Sequence, residues 1–448
     1  MKLKFIDLFA GIGGFRAGFE MACKKNNIQP VCVFTSEIKK SAIEVYQDNF
    51  PGEEISGDIT KIDEKNIPEF DVLLAGFPCQ AFSTAGVRRG FLDTRGTLFF
   101  DIERILQKHS PHAFILENVE GLVTHDLQNK NDQIGKTLQT ILFNLRKLGY
   151  TVNWKVLNGL DFGLAQNRKR IFLVGTKDKL IPLDNFRKKN VPLKKILEKN
   201  KPSDDIQISK VLFKKYDKES LYGKAIKDRR GGEDNIHSWD LDLKGKTNRH
   251  QKKILNEILK ARRNKKWAEI KGIAWSDGMP LTHKEINSFC EVPELLENLE
   301  DLVKKGYLVK RHPTDFIDSK EGYKIKAPRE DLPKGYDLVT GKLSFEISNI
   351  LHPDGYTPTL TATDASKLAL IDGENLRKLT AREMARLFGF PNKFKLNKKV
   401  NYFDLFGNSI AVNVVEKVSD NLMKFYFLKE NYSEEISLNS EAVQQELF

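Results

Sequence analysis

Phe5-Ile6-Asp7-Leu8-Phe9-Ala10-Gly11-Ile12-Gly13-Gly14-Phe15 decides the fold. An apolar run ends in a glycine-rich turn, and a helical pattern starts immediately after it. Glycines there let the backbone approach a ligand closely, and a helix amino terminus favours negative charge. Val31 to Ser36 reads as a second strand that ends at Glu37. That is about twenty residues after the first helix begins, where dinucleotide folds place a carboxylate on ribose hydroxyls. Asp58, in Gly57-Asp58-Ile59-Thr60, is expected at the next strand end, able to accept from an adenine amino group. The loop is not Gly-x-x-x-x-Gly-Lys-Ser/Thr, which disfavours a phosphate-cradling NTPase. A nucleoside-bearing cofactor without a phosphate fits better.

Strand and helix signals alternate through residue 176, the mark of a parallel sheet flanked by helices. Strands are expected at Val72 to Ala75, Ala113 to Glu117, Val152 to Leu157 and Ile171 to Val174, with helices around Leu98 to Lys108 and Ile134 to Leu148. Gly76-Phe77-Pro78-Cys79-Gln80-Ala81-Phe82-Ser83-Thr84-Ala85 then places a cysteine at the carboxyl end of a strand, where open α/β sheets bind ligands. Such a thiol can be a nucleophile; taken alone it is more often an inert small core residue. Beyond Thr176 lysine becomes dense and the rhythm stops, until Thr357-Pro358-Thr359-Leu360-Thr361 and a capped helix from Thr380 restore order.

The 448 residues suffice for two or three domains, and the formal net charge of +12 is compatible with a polyanionic partner. No apolar run is long enough to span a bilayer and no signal peptide is recognisable. Cys23, Cys32, Cys79 and Cys290 are dispersed, with no Cys-x-x-Cys pair, so neither a disulfide framework nor a metal site is expected. A reducing cytoplasm is the expected compartment.

Six segments in order resemble the DNA (cytosine-5)-methyltransferase family of bacterial restriction–modification type. They are Asp7 to Gly14, Pro78-Cys79-Gln80, Glu117-Asn118-Val119, Gln166-Asn167-Arg168-Lys169-Arg170, Arg377 to Glu383 with Phe388-Gly389-Phe390-Pro391, and Gly407-Asn408-Ser409. The resemblance implies a Rossmann-like mixed sheet that binds S-adenosyl-L-methionine, with a second, smaller target-recognition domain. It implies methyl transfer to carbon 5 of a flipped-out cytosine in duplex DNA through a covalent cysteine adduct. Cys79 would be the nucleophile, Glu117 would hold a proton at ring nitrogen 3, Arg170 would bind the ring carbonyl and Arg168 would support the loop or a phosphate. Asp7, Phe9, Ala10, Gly11, Gly13, Gly14, Glu37, Ile38, Asp58, Ile59, Pro78, Asn408 and Ser409 would line the cofactor site. Gln80, Ser83, Arg88, Arg89, Thr359 and Thr361 would meet DNA, with the loop 80–96 closing over the base. A partner restriction endonuclease, a monomeric state and a nucleoid location also follow from the resemblance. The alternatives are an RNA (cytosine-5)-methyltransferase, disfavoured by the long stretch between the conserved blocks, and a catalytically inactive DNA-binding regulator.

The expected domains are catalytic, 1–176 with 405–430, and target-recognition, 177–404, with a loose tail over 431–448. Within the second, residues 249–325 read as three helices and a hairpin, a winged-helix pattern. Tyr323-Lys324-Ile325 is expected to return as the partner of the strand after Lys304. The third helix is acidic, so DNA contact is expected from Lys304, Lys305, Lys310 and Arg311.

Overall fold

The computed structural model describes residues 1–77, 98–127, 132–199, 201, 206, 208–228, 235–275, 278–318, 324–339, 345–396 and 400–429. The chain divides into two compact units. The first comprises Met1–Lys201, Pro353–Ser366 and Leu379–Phe448; the second comprises Pro202–His352 and Lys367–Lys378.

In the first unit, β1 (Lys2–Leu8), β2 (Gln29–Ser36), β3 (Val72–Gly76), β4 (Ala113–Val119), β5 (Thr151–Asn158) and β6 (Lys169–Thr176) form one sheet, ordered β2-β1-β3-β4-β6-β5. The strands β1 to β4 are mutually parallel. β6 runs antiparallel to both its neighbours, so the sheet is mixed, as the resemblance implies, and not the all-parallel sheet that strand–helix alternation alone suggests. β5 and β6 are joined by a short connection, which an antiparallel pair permits and a parallel pair does not.

The run Val72-Leu73-Leu74-Ala75 is apolar throughout because both faces of the sheet are covered. Leu73 and Ala75 face a core shared with α3 (Leu98–His109) and α4 (Lys136–Lys147). Val72 and Leu74 face a core shared with α1 (Gly14–Lys25) and α13 (Val412–Leu422). Gly18 lets α1 and α13 approach: a Cβ there would lie 2.7 Å from that of Val415. The helix α2 (Lys40–Asn49) follows β2.

The boundary expected at 176 lies further along the chain. Leu193 donates to the Gly355 carbonyl (2.9 Å) and Lys194 to that of Pro353 (2.7 Å). The helix α11 (Ala381–Leu387) carries the expected Thr380–Glu383 capping box, and the same two side chains hold Glu198. These bonds bring 177–201, 353–366 and 379–404 into the first unit. The helix α12 (Tyr402–Gly407) precedes α13.

Among its described residues the second unit has two apolar cores. One lies around a five-stranded sheet ordered β15-β14-β13-β7-β8, built from β7 (Ala225–Ile226), β8 (Asn235–Ile236), β13 (Asn349–Ile350), β14 (Leu368–Asp372) and β15 (Asn375–Lys378). The helices α5 (Ile208–Lys215) and α6 (Lys218–Leu221) pack there through Leu212 and Leu221. The other core gathers α7 (Arg249–Ala261), α8 (Lys266–Lys271), α9 (His283–Asn287) and α10 (Leu295–Lys304). The expected box Thr282–Glu285 starts α9, and Asn248 with Gln251 starts α7.

β9 (Leu308–Arg311) pairs antiparallel with β12 (Gly335–Leu338), whose Tyr336 also bridges Leu281. The partner of β9 is therefore not the segment 323–325. That segment leads into β11 (Lys324–Pro328), which pairs with β10 (Thr314–Asp318). Pro313 has no N–H to give a ladder, and it separates β9 from β10 so that a second hairpin forms.

Candidate active site

The carboxyl ends of β1 and β2 form one wall. Phe9 has φ 56° and Gly11 φ 56°, both left-handed, with Gly13 at φ 84°. A phenylalanine in that region costs on the order of 1–2 kcal/mol. It is held by Ala10 donating to the Ser36 carbonyl (3.0 Å) and Gly13 donating to that of Ala10 (2.9 Å). A Cβ on Gly11 would meet nothing within 4 Å, whereas one on Gly14 would sit 3.2 Å from Ser409 Oγ. The turn 407–409 thus lies against the glycine loop, and Lys39 Nζ to Asp404 Oδ2 (2.5 Å) ties it to the start of α2.

Glu37 Oε2 accepts from Gly11 N (2.7 Å), and its Oε1 accepts from Ile38 N and Lys39 N (2.8 Å each). The carboxylate is therefore fixed beside the loop. Ile38 is 70% exposed, an apolar surface at the mouth, while Ile59 is buried. Asp58 is not at a strand end. It caps the short turn Ile59–Lys61, accepting from Thr60 N (3.1 Å) and Thr60 Oγ1 (2.8 Å), and the hydroxyl bond holds its carboxyl below the usual range. Asp7 is fully buried and takes a 3.4 Å bond from the Tyr46 hydroxyl; burial pushes its carboxyl well up, against the pull of Arg16. It belongs to the floor beneath the loop rather than to the wall.

The adjoining ends of β3, β4 and β6 form the second half. Glu117 is 9% exposed, with Arg170 Nε 3.1 Å from its Oε1. Burial raises the Glu117 carboxyl, opposed first by Arg170 and then by Arg168. A Cβ on Gly76 would lie 3.6 Å from Glu117 Oε2, so the acid flanks the strand end that leads into Pro78 and Cys79. Asn118 donates to the Phe77 carbonyl (3.2 Å) and accepts from Val119 N (2.8 Å), fixing the last described residue before that motif. No sequence signal assigned Asn118 a task beyond its place in Glu117-Asn118-Val119. Pro78, Cys79, Gln80, Ser83, Arg88 and Arg89 lie outside the described residues.

Arg168 does not join the Glu117–Arg170 pair by contact. It is 3% exposed, and it donates to the carbonyls of Leu360 (3.0 Å) and Ser409 (2.5 Å), with its guanidinium 5.0 Å from the Phe388 ring centroid. It clamps three segments together. Thr359 Oγ1 donates inward to the Asn167 carbonyl (2.6 Å), and Thr361 is exposed with its hydroxyl on Asp364 (2.8 Å).

Residues 3–424 match the family model described as C-5 cytosine-specific DNA methylase. The type II methyltransferase M.NlaIV of Neisseria lactamica is 52% identical over 423 residues, covering 94% of this chain and 99% of that protein. The type II methyltransferase M.BanI of Aneurinibacillus aneurinilyticus is 41% identical over 451 residues, covering 95% and 96%. Among solved structures, a putative DNA modification methyltransferase encoded within an E. coli prophage aligns at TM-score 0.50 and 20% identity over 96% of this chain and 100% of its own. An S. pombe Dnmt2 methyltransferase aligns at TM-score 0.50 and 16% identity over 95% and 100%. These two likenesses speak to the fold alone.

Proposed function

Because the chain belongs to the C-5 cytosine-specific DNA methylase family, we propose that the strand ends of its first unit bind S-adenosyl-L-methionine and a flipped-out cytosine, and that Cys79 attacks the base. The observation that carries this is the buried Glu117–Arg170 pair beside the end of β3. The first wall fits such a cofactor: open space over Gly11, an exposed apolar Ile38 and a carboxylate at Glu37, with no lysine in the glycine loop to meet a phosphate. When bound, the cofactor supplies an electrophilic methyl group on sulfonium sulfur.

Carbon 5 of cytosine is a poor nucleophile. A bond from the Cys79 thiolate to carbon 6 moves electron density onto carbon 5, and a proton from Glu117 at nitrogen 3 neutralises the ring. Burial raises the Glu117 carboxyl and so favours the protonated form from which that proton is given. Arg170 holds Glu117 through Nε and the Lys169 carbonyl through Nη1 (2.7 Å), which leaves Nη2 for the ring carbonyl oxygen. Carbon 5 then takes the methyl group; loss of the carbon-5 proton to a base, expulsion of the Cys79 thiolate and return of the nitrogen-3 proton to Glu117 restore the aromatic ring and the free enzyme. The base is unreachable within a duplex and must leave the stack.

The order α7, Leu281 bridge, α9, α10, β9, hairpin, β12 supports reading the insert of the second unit as a winged helix within a target-recognition domain. The chain acts as a monomer and as the modification half of a restriction–modification system, protecting host DNA from a partner endonuclease. Duplex DNA substituted with 5-fluorocytosine tests the chemistry, because carbon 5 then has no proton to lose. A denaturant-resistant protein–DNA adduct is expected, absent in Cys79→Ser; transfer RNA carrying the same base is expected to give none. No adduct with DNA in the presence of cofactor would defeat the reading.

A further inference from the structure

We propose that the root of the second unit's long hairpin carries a phosphodiester-binding pocket formed by Arg311, His312, Thr314 and Lys326, through which this unit grips the DNA backbone. The proposal rests on duplex DNA being the substrate.

In a winged helix the third helix usually meets the groove. Here α10 exposes Glu294, Glu297 and Glu300, charges that DNA phosphates repel. Its cationic neighbours are committed elsewhere. Lys305 pairs with Asp301 (2.5 Å), and Lys310 pairs with Glu300 (2.5 Å), which also accepts from the Tyr336 hydroxyl (2.6 Å). Two of the four cations expected to meet DNA are thus paired with acids of α10, and a third, Arg311, shares buried Asp337 with Arg262.

The hairpin root differs. A cavity of about 280 Å³ is lined by Gly278, Pro280, Arg311, His312, Thr314 and Lys326, none of these described residues a carboxylate. Its described neighbours Asp337, Asp315 and Asp331 are already engaged. Asp337 is fully buried between Arg262 (3.0 Å) and Arg311. Asp315 accepts from Ala274 N (3.0 Å) and Phe316 N (2.8 Å) and pairs with Arg329, which also holds Asp331. Among the described residues, Arg262, Arg311 and Arg329 pair with Asp337, Asp315 and Asp331, and exposed Lys326 has no ion pair.

The cavity also rests on a buried charge. Gly278 has φ 94°, and a Cβ there would fall 1.9 Å from Arg262 Nη2, so only glycine lets the wall lie directly on that guanidinium. His312 Nδ1 donates to the Leu332 carbonyl (2.7 Å), which leaves Nε2 as the one ring atom available to a ligand. An arriving phosphate oxygen would be met by guanidinium, ammonium and hydroxyl, the donor set such an anion favours, with the imidazole edge beside it. Contacts of this kind supply affinity and register but no sequence information.

Lys326→Gln and His312→Gln test the site, since neither change touches Asp337. Anisotropy with fluorescent duplexes across a salt series, on protein whose melting matches wild type, is expected to show about a five- to tenfold loss of affinity near physiological salt for Lys326→Gln. The slope of log K against log salt should fall by about 0.9, the value for one phosphate contact. Methylated-site and unrelated duplexes should be affected alike, with kcat at saturating DNA unchanged. One neutral methylphosphonate position should then weaken wild type but not Lys326→Gln. Wild-type binding and transfer with unaltered affinity and slope in both variants would overturn the pocket alone. A wild-type protein that neither bound nor methylated duplex DNA would overturn the substrate reading, and the pocket with it.

Discussion

Replacing Arg168 by Met separates clamping from catalysis. The substitution keeps most of the aliphatic volume over Phe388 but removes the donors to Leu360 and Ser409. Each is a buried bond from a charged donor, worth roughly 1.5–3 kcal/mol. Relief from burying the charge itself offsets part of the loss. A net destabilisation of about 3 kcal/mol is expected, a large share of the roughly 5–15 kcal/mol that holds a folded protein. Urea unfolding followed by fluorescence measures it, and single-turnover methyl transfer at low temperature measures chemistry per folded molecule. The clamp predicts a clear fall in the urea midpoint with turnover of the folded fraction within about tenfold of wild type, well short of the 10²–10⁴-fold cost of losing an acid–base group. Unchanged stability, within about 0.5 kcal/mol, together with abolished turnover would refute it and place Arg168 on the substrate.

Two further outcomes follow from the same geometry. Glu117→Gln should lower the rate about 10²–10⁴-fold with little loss of DNA affinity, since the amide cannot deliver a proton. Because burial raises the Glu117 carboxyl, the native state holds a proton that the unfolded chain releases, so wild-type stability and turnover should both decline as pH rises through the raised native value, and the variant should lose that component of the slope. Equal losses in binding and turnover would mark Glu117 as structural. Ile38→Ser, at a side chain already 70% exposed, should leave the melting temperature unchanged yet weaken S-adenosyl-L-methionine binding about tenfold by calorimetry, in keeping with the loss of one apolar contact surface. Unaltered affinity would remove Ile38 from the site.

Much of this architecture is written locally. Val72-Leu73-Leu74-Ala75 signals a doubly covered strand, and Thr282–Glu285 and Thr380–Glu383 announce helix starts that the structure realises as reciprocal capping boxes. What remained hidden depends on partners distant in sequence. A period-two pattern carries no direction, so nothing in Ile171 to Val174 revealed that β6 runs backwards. Asp58 was assigned to a strand end because a capping aspartate and a ligand-gripping one use the same letter after the same glycine. Arg168 and Arg170 are two residues apart and would share one face of a strand. Arg168 precedes β6, which begins at Lys169, so the alternation does not reach it, and the two arginines part company. The pairing of β9 with β12 rather than with residues near 324 follows from Pro313 and a long excursion between them, which local propensity does not encode.

Bisulfite sequencing of plasmid DNA from cells expressing the chain tests the central claim most directly, with Cys79→Ser as the control. Cytosines resistant to conversion at one recurring sequence, present with wild type and absent with the variant, are the predicted result. Plasmid converted completely in both, from cells in which the wild-type chain is folded and abundant, would contradict it.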